Sequence, residues 1–165
     1  MLKGEIVVLV PVTEAHVPEL RRILRTPEVH ARWGDVDTEP GWPLEDDGVV
    51  CFAVLVDDEV RGMVQYGEEN DPGYRHASID IFLDPAVHGR GVGEDTVRTM
   101  SRYLVEERGH HRLAIDPAAD NAAAIRCYEK VGFRPVGLMR RYERDNDGRG
   151  WHDGLLMDLL AEELR

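Results

Sequence analysis

The sequence predicts an α/β chain built on one mixed sheet, and three observations carry that prediction. Short runs rich in β-branched residues recur from Glu5 to Leu159. Two helical patterns, after Gly93 and after Asn121, each follow a strand-like run, and glycines cluster where the first of those strands turns into its helix. That junction reads Leu83-Asp84-Pro85-Ala86-Val87-His88-Gly89-Arg90-Gly91-Val92-Gly93.

Taken in order, Glu5 to Pro11 alternates as a first strand. Thr13-Glu14-Ala15-His16 begins a helix, with Thr13 as N-cap and Val17, Leu20 and Leu24 toward the core. Thr26-Pro27-Glu28 opens a second short helix to about Arg32, with Thr26 capping and Pro27 at the first helical position. From Trp33 to Gly48 no periodicity persists, and the tryptophans, prolines and acids read mostly as a solvated loop pinned by its indoles. Within it, Trp33 and Asp35 suit a substrate wall, because a carboxylate beside an indole face attracts an ammonium group.

Val49 to Val56 and Val60 to Glu68 flank Asp57-Asp58-Glu59 as a hairpin. The acidic loop from Glu68 to Gly73 reads as a solvated turn or as a second wall that attracts cations. Strands at Arg75 to Leu83, Arg112 to Asp116, Val136 to Tyr142 and Trp151 to Leu159 complete the mixed sheet, with helices expected on both faces. The helix after Gly93 ends near Arg108-Gly109, where glycine suits the C′ position. Asn121 caps a last helix whose Ala124, Ile125 and Tyr128 share a face and which Gly132 ends in the same way.

With 165 residues, 42% of them hydrophobic, a single domain spanning 1–165 is expected. The longest apolar runs are too short to span a bilayer and Met1-Leu-Lys-Gly-Glu opens no apolar signal segment, so a cytoplasmic protein is expected. A formal charge of -12 argues against a nucleic-acid or anionic-membrane partner and suits a cationic one. Cys51 and Cys127 have no metal-ligand spacing; both are expected as buried thiols, and no metal is expected.

The glycine junction suits an anion. Its backbone can approach a ligand closely, and the unpaired N–H groups of the following helix turn point at it with the positive end of the macrodipole, so a pyrophosphate would fit. The stretch lacks the Lys-Ser/Thr of a P-loop and the dinucleotide spacing, and a lone glycine-rich turn is usually only a turn.

The same eleven residues resemble the acyl-CoA signature of the GNAT superfamily of N-acetyltransferases, Arg/Gln-x-x-Gly-x-Gly/Ala, with His88 where the family has Arg or Gln. Asp120-Asn121-Ala-Ala-Ala-Ile-Arg-Cys-Tyr128-Glu-Lys-Val-Gly-Phe133 is similar to the second signature, N-x-x-A-x-x-x-Y-x-x-x-G-F. The resemblance implies a mixed, mostly antiparallel seven-stranded sheet with about four helices and splayed central strands. It also implies acetyl-CoA as cosubstrate: Ile81, Phe82 and Leu83 would contact pantetheine, His88, Gly89, Arg90, Gly91, Val92 and Gly93 the pyrophosphate, and Asn121 the pantetheine arm. Tyr128 would protonate the departing thiolate. The shorter side chain of His88 leaves only the backbone cradle intact.

A narrower likeness, to the aminoglycoside 6′-N-acetyltransferases, rests on Gly62-Met-Val-Gln-Tyr-Gly, the acidic loop with Glu68, Ser-Ile-Asp80 and the run from Asp116 to Phe133. It implies Asp80 as base and Asp116 as substrate anchor for a cationic amine, beside the walls read above at Trp33, Asp35 and Glu68, and antibiotic resistance as one purpose. Another small amine or polyamine, a peptide N-terminus, and an acetyl-CoA sensor without turnover remain alternatives, and a homodimer is a candidate assembly.

Overall fold

The computed structural model describes residues 1–34, 41–44 and 48–165. One sheet of eight strands forms the middle: β1 (Leu2–Lys3), β2 (Val8–Pro11), β3 (Val50–Val56), β4 (Glu59–Glu69), β5 (His76–Leu83), β6 (Arg112–Ile115), β7 (Arg134–Arg144) and β8 (Trp151–Leu160). Their spatial order is β1-β2-β3-β4-β5-β6-β8-β7, and only β5 and β6 run parallel. Seven strands were expected. The eighth is the two-residue β1, which pairs Leu2 with Leu9 and Lys3 with Val8 and is too short to show a period. Among the described residues no helix is long and apolar enough to cross a membrane.

The helices are α1 (Val17–Leu24), α2 (Pro27–Trp33), α3 (Val92–Glu106) and α4 (Ala122–Val131). They divide between the two faces because strand side chains alternate. On one face Leu20, Ile23, Leu24 and Val29 of α1 and α2 cover Met63 and Phe82. On the other, Val97, Met100 and Leu104 of α3 and Val131 of α4 pack with Val64, Tyr66, Ala77 and Ile79.

Helix starts follow the prolines more closely than the capping residues. Helix α1 begins four residues after Thr13, with His16 at the N-cap and no side-chain cap. Pro18 lacks an N–H and clashes inside a helix, so it must lie in the first turn. Thr13 instead closes a turn, its N–H donating to His16 Nδ1 at 3.1 Å. Thr26 does occupy the N-cap of α2, yet its hydroxyl donates back to the Ile23 carbonyl at 2.6 Å. Asn121 behaves as expected, Oδ1 accepting from the Ala124 N–H at 3.3 Å.

One buried carboxylate ties the N-terminus to the helix that follows the glycines. Asp95 in α3 accepts from the N–H groups of Glu5, Ile6 and Val7 at 3.1, 2.7 and 2.9 Å. A side chain at Gly4 would lie 2.4 Å from Asp95 Oδ2, so glycine is what lets the loop close around the carboxylate. Asp95→Ala strands these donors, and the expected loss is about 2–4 kcal/mol of unfolding free energy. Urea denaturation checks it, and a midpoint within error of the wild type would show that the tether carries no stability.

Candidate active site

The site begins where two strands part. Strand β5 pairs with β4 from Glu69–His76 to Gly62–Leu83, but with β6 only at Ala77–Leu113 and Ser78–Ala114. Past Ser78 one edge of β5 is open. The Asp84 N–H still bonds the Arg61 carbonyl of β4 at 2.7 Å, so by alternation the backbone groups of Ile81 and Leu83 face the opening.

Three side chains meet that open edge. The Ile81 N–H donates to Asp80 Oδ1 at 3.0 Å, and the Ile81 carbonyl accepts from the Trp33 indole N–H at 3.3 Å. The Leu83 carbonyl pairs with His88 Nε2 at 3.0 Å. A carbonyl can only accept, so the proton sits on Nε2. This fold-back is what the histidine does in place of the longer residue of the signature.

Two cavities meet at this edge, sharing Arg32, Trp33, Ile81, Asn121 and Tyr128. The first, about 550 Å³, is lined by Leu83, His88, Gly89, Gly91 and Gly93 on one side and by Ala124, Cys127 and Lys130 of α4 on the other. Gly89 and Gly91 have φ of +73° and +79°, left-handed conformations that turn the chain into α3. Gly91 is the N-cap and offers no side chain, so the first-turn N–H groups of α3 are left to a ligand. An uncapped helix start beside an open strand edge fits a coenzyme that carries both a diphosphate and an amide-bearing arm.

The second cavity, about 810 Å³, is acidic: Asp80, Asp116, Asp120, Glu143 and Asp145 line it, with His152 and Tyr142. Most of these acids are engaged. Arg32 pairs with Asp120 at 2.6 Å, the Tyr142 hydroxyl donates to Asp116 at 2.7 Å, and His152 lies between Asp145 at 2.9 Å and Glu143 at 3.3 Å. Asp80 has no cationic partner among the described residues. Its side chain keeps an accessible face toward the cavity but is surrounded by protein, and that burial pushes its carboxyl up to about 7, against the Ile81 N–H and with help from the charges of Asp116 and Glu143.

Tyr128 separates the two cavities. It is 8% exposed, and burial first, then Cys127, Asp80 and Asp116, raises its hydroxyl well above the ordinary phenol value. The Tyr142 hydroxyl is pushed up to about 12, chiefly by its bond to Asp116. Both cysteines are half-buried rather than fully buried, and burial pushes the Cys127 thiol up to about 11, which suits no nucleophile.

Of the residues singled out in the sequence, Trp33, Asp80, Asp116, Asn121 and Tyr128 line the acidic cavity, and Ile81, Leu83, His88, Gly89, Gly91 and Gly93 the glycine-rich one or both. Phe82 lines the glycine-rich cavity too, with its backbone turned to β4 and its ring centroid 4.8 Å from that of Trp33. Val92 is buried in the core, so it could meet a ligand there only through its N–H, and Arg90 is exposed and lies outside both cavity linings. Asp35 lies outside the described residues. Glu68 is not brought to the site: Arg108 and His110 hold it at 2.9 and 2.7 Å, and these partners pull its carboxyl down to about 2. Sequence reasoning missed Arg32, Glu143, Asp145 and His152.

Comparison with known proteins agrees with this architecture. In fold the chain is similar to Mycobacterium smegmatis RimJ, solved in complex with CoA-disulfide (TM-score 0.82, 23% identity, 96% of this chain and 83% of that one). It is also similar to AAC(6')-Ib, solved in complex with paromomycin and acetyl-CoA (TM-score 0.78, 23% identity, 96% of each chain). A family model described as the acetyltransferase (GNAT) family matches residues 16–133, and the chain belongs to that family. Aminoglycoside N(6')-acetyltransferase type 1 of Klebsiella pneumoniae is 32% identical over 108 residues, 58% of this chain and 53% of that enzyme. The chain thus spans about half the length of that curated relative.

The displaced Asp80 carboxyl has a consequence for stability. The unfolded chain sheds this proton near the ordinary carboxylate value, whereas the fold holds it to about pH 7. Between those values the unfolded state binds fewer protons, so this group's contribution to stability falls as pH rises through the window and stays low above it. Asp80→Asn is therefore expected to melt above the wild type at pH 8 and close to it at pH 4. An offset that does not change with pH would assign the effect to packing instead.

Proposed function

We propose that the chain is an acetyl-CoA-dependent N-acetyltransferase acting on a primary amine of a polycationic small molecule of the aminoglycoside kind. The observation that carries this is the junction of the two cavities at Ile81, Asn121 and Tyr128, one side built for an anionic coenzyme and the other for a cation. Acetyl-CoA supplies the activated acyl group when bound. The Leu83 N–H, the Ile81 groups in exchange for their bonds to Asp80 and Trp33, and the first turn of α3 would hold its arm and diphosphate.

The chain's own residues then have two protons to move. Asp80 lies where an incoming ammonium would sit, and with a proton affinity near neutrality it can take the proton that frees the amine lone pair. A new N–C bond forms as the C–S bond breaks. Tyr128, whose proton is held firmly by burial, passes it to the leaving sulfur, and the proton that the newly acylated nitrogen sheds returns to the phenol oxygen. No covalent enzyme adduct is needed, since the amine is the nucleophile. Asp116, fixed by Tyr142, would anchor another ammonium of the same molecule.

Release of the coenzyme thiol from acetyl-CoA, measured with kanamycin, spermidine and a peptide with a free N-terminus, tests the reading. Thiol release should depend on the amine and favour the polycations. Binding of acetyl-CoA with no release for any amine would make the protein a sensor and overturn the proposal; a preference for the peptide would overturn the substrate class. In the same assay Tyr128→Phe should lower kcat about 100-fold with acetyl-CoA affinity preserved, and Asp80→Asn should lower it by about 100-fold or more. For the wild type, kcat/KM for the amine should climb with pH and level off above about 7, where Asp80 is ionised; Asp80→Asn should lose that limb.

A further inference from the structure

The acidic cavity has two walls from distant parts of the chain. Ala31, Arg32 and Trp33 of α2 form one; Tyr142, Glu143, Asp145 and His152 of the β7–β8 hairpin form the other. Nothing in the sheet sets the distance between them, because β7 is the edge strand and α2 lies over β5.

One side chain spans the gap. Asn146, at the hairpin tip, donates from Nδ2 to the carbonyls of His30 and Ala31, each at 2.8 Å. Both carbonyls belong to the last turn of α2; that of His30 already accepts from the Gly34 N–H at 2.9 Å, so Asn146 adds a second bond there and a bond to Ala31 beside it. An amide nitrogen carries two protons, so both bonds can be made at once. Gly34 supplies a second, independent sign: with φ +77°, a side chain there would come within 2.9 Å of Asn146 Oδ1, so the helix ends on a residue that leaves the amide its seat.

The hairpin is shaped to deliver this contact. Its ladder runs from Met139–Gly154 straight to Glu143–His152, so Arg140, Arg141 and Tyr142 stand opposite Asp153 alone. Arg141 takes φ +48° there, and its N–H is held by Asp153 Oδ1 at 2.8 Å. The bulge bends the strand pair. The tip beyond it is braced, Asp145 N–H to Gly150 carbonyl at 2.9 Å and Arg144 to Gly148 carbonyl at 2.9 Å, so it moves as one piece.

The geometry points to Asn146 as a specificity-determining residue: it latches the hairpin to α2 and so fixes the width of the acceptor cavity for a compact polyamine rather than an extended peptide. This rests on the acetyl-transfer reading above. Asn146 touches neither the glycine loop nor Asp80 and Tyr128, so its loss acts on acceptor choice and leaves the coenzyme side alone.

The test uses two variants that undo the latch from opposite ends, Asn146→Ala and Gly34→Ala, with folding checked by thermal melts. Both should raise KM for kanamycin about 10-fold, keep KM for acetyl-CoA within about twofold, and cut the preference for kanamycin over a free-N-terminus peptide about 10-fold. A residue that merely stabilised the hairpin would lower the melting temperature without moving that preference. Wild-type turnover with preference unchanged in both folded variants overturns the latch and leaves the acetyl-transfer reading standing. Absence of wild-type turnover with every amine overturns that reading, and the latch with it.

Discussion

The parting of β5 from β6 is the constraint on which the rest of the site depends, and it is enforced from both sides. Strand β5 stays bonded to β4 as far as the Asp84 N–H. The chain after β6 follows the other neighbour: Pro117 has no N–H to offer β5, and its carbonyl accepts from Leu155 at 2.9 Å. Ala119 then donates to the Asp153 carbonyl at 2.9 Å. Each strand is thus held by the partner on its far side, and the wedge between them is as rigid as the two half-sheets that flank it.

Such a wedge leaves backbone groups that demand partners, since buried N–H and C=O groups are costly to leave unpaired. The partners found here come from three places: Trp33 from α2, Asp80 from the strand itself and His88 from the glycine loop. The loop is fixed in turn by Asp84, which accepts from the Ala86 N–H at 3.0 Å and from Arg22 of α1 at 2.6 Å. Burial opposes ionisation of Asp84, but the Ala86 and Arg22 bonds win and its carboxyl is held below the usual range. Helix α1, the strand opening and the glycine turn are therefore joined through Asp84.

What was legible in the sequence was whatever a local rule governs. Alternation gave the strands, the Asp57-Asp58 connection gave the hairpin through two residues at φ +51° and +63°, and Asn121 capped its helix as its side chain dictates. What a local rule does not govern was missed. The start of α1 depended on Pro18 more than on Thr13. Glu68 looked like a cation trap because its neighbours in sequence are acidic, yet the turn between α3 and β6 brings Arg108 and His110 against it. Glu143, Asp145 and His152 enter the site only because a bulge redirects the hairpin, and no period in the sequence announces a bulge.

The acidic cavity shows how a negatively charged chain can keep one carboxyl poised. Asp120, Glu143 and Asp145 are each answered by a cation or an imidazole, and Asp116 by a hydroxyl, so the field they exert is partly spent within the protein. Asp80 is left with a single backbone N–H, and its neighbours Asp116 and Glu143 push in the same direction as its burial. An ammonium group entering beside it would relieve both effects, stabilising the carboxylate at the moment a proton is offered. The arrangement that lowers the stability of the resting fold above neutral pH is therefore the same one that raises the proton affinity of Asp80.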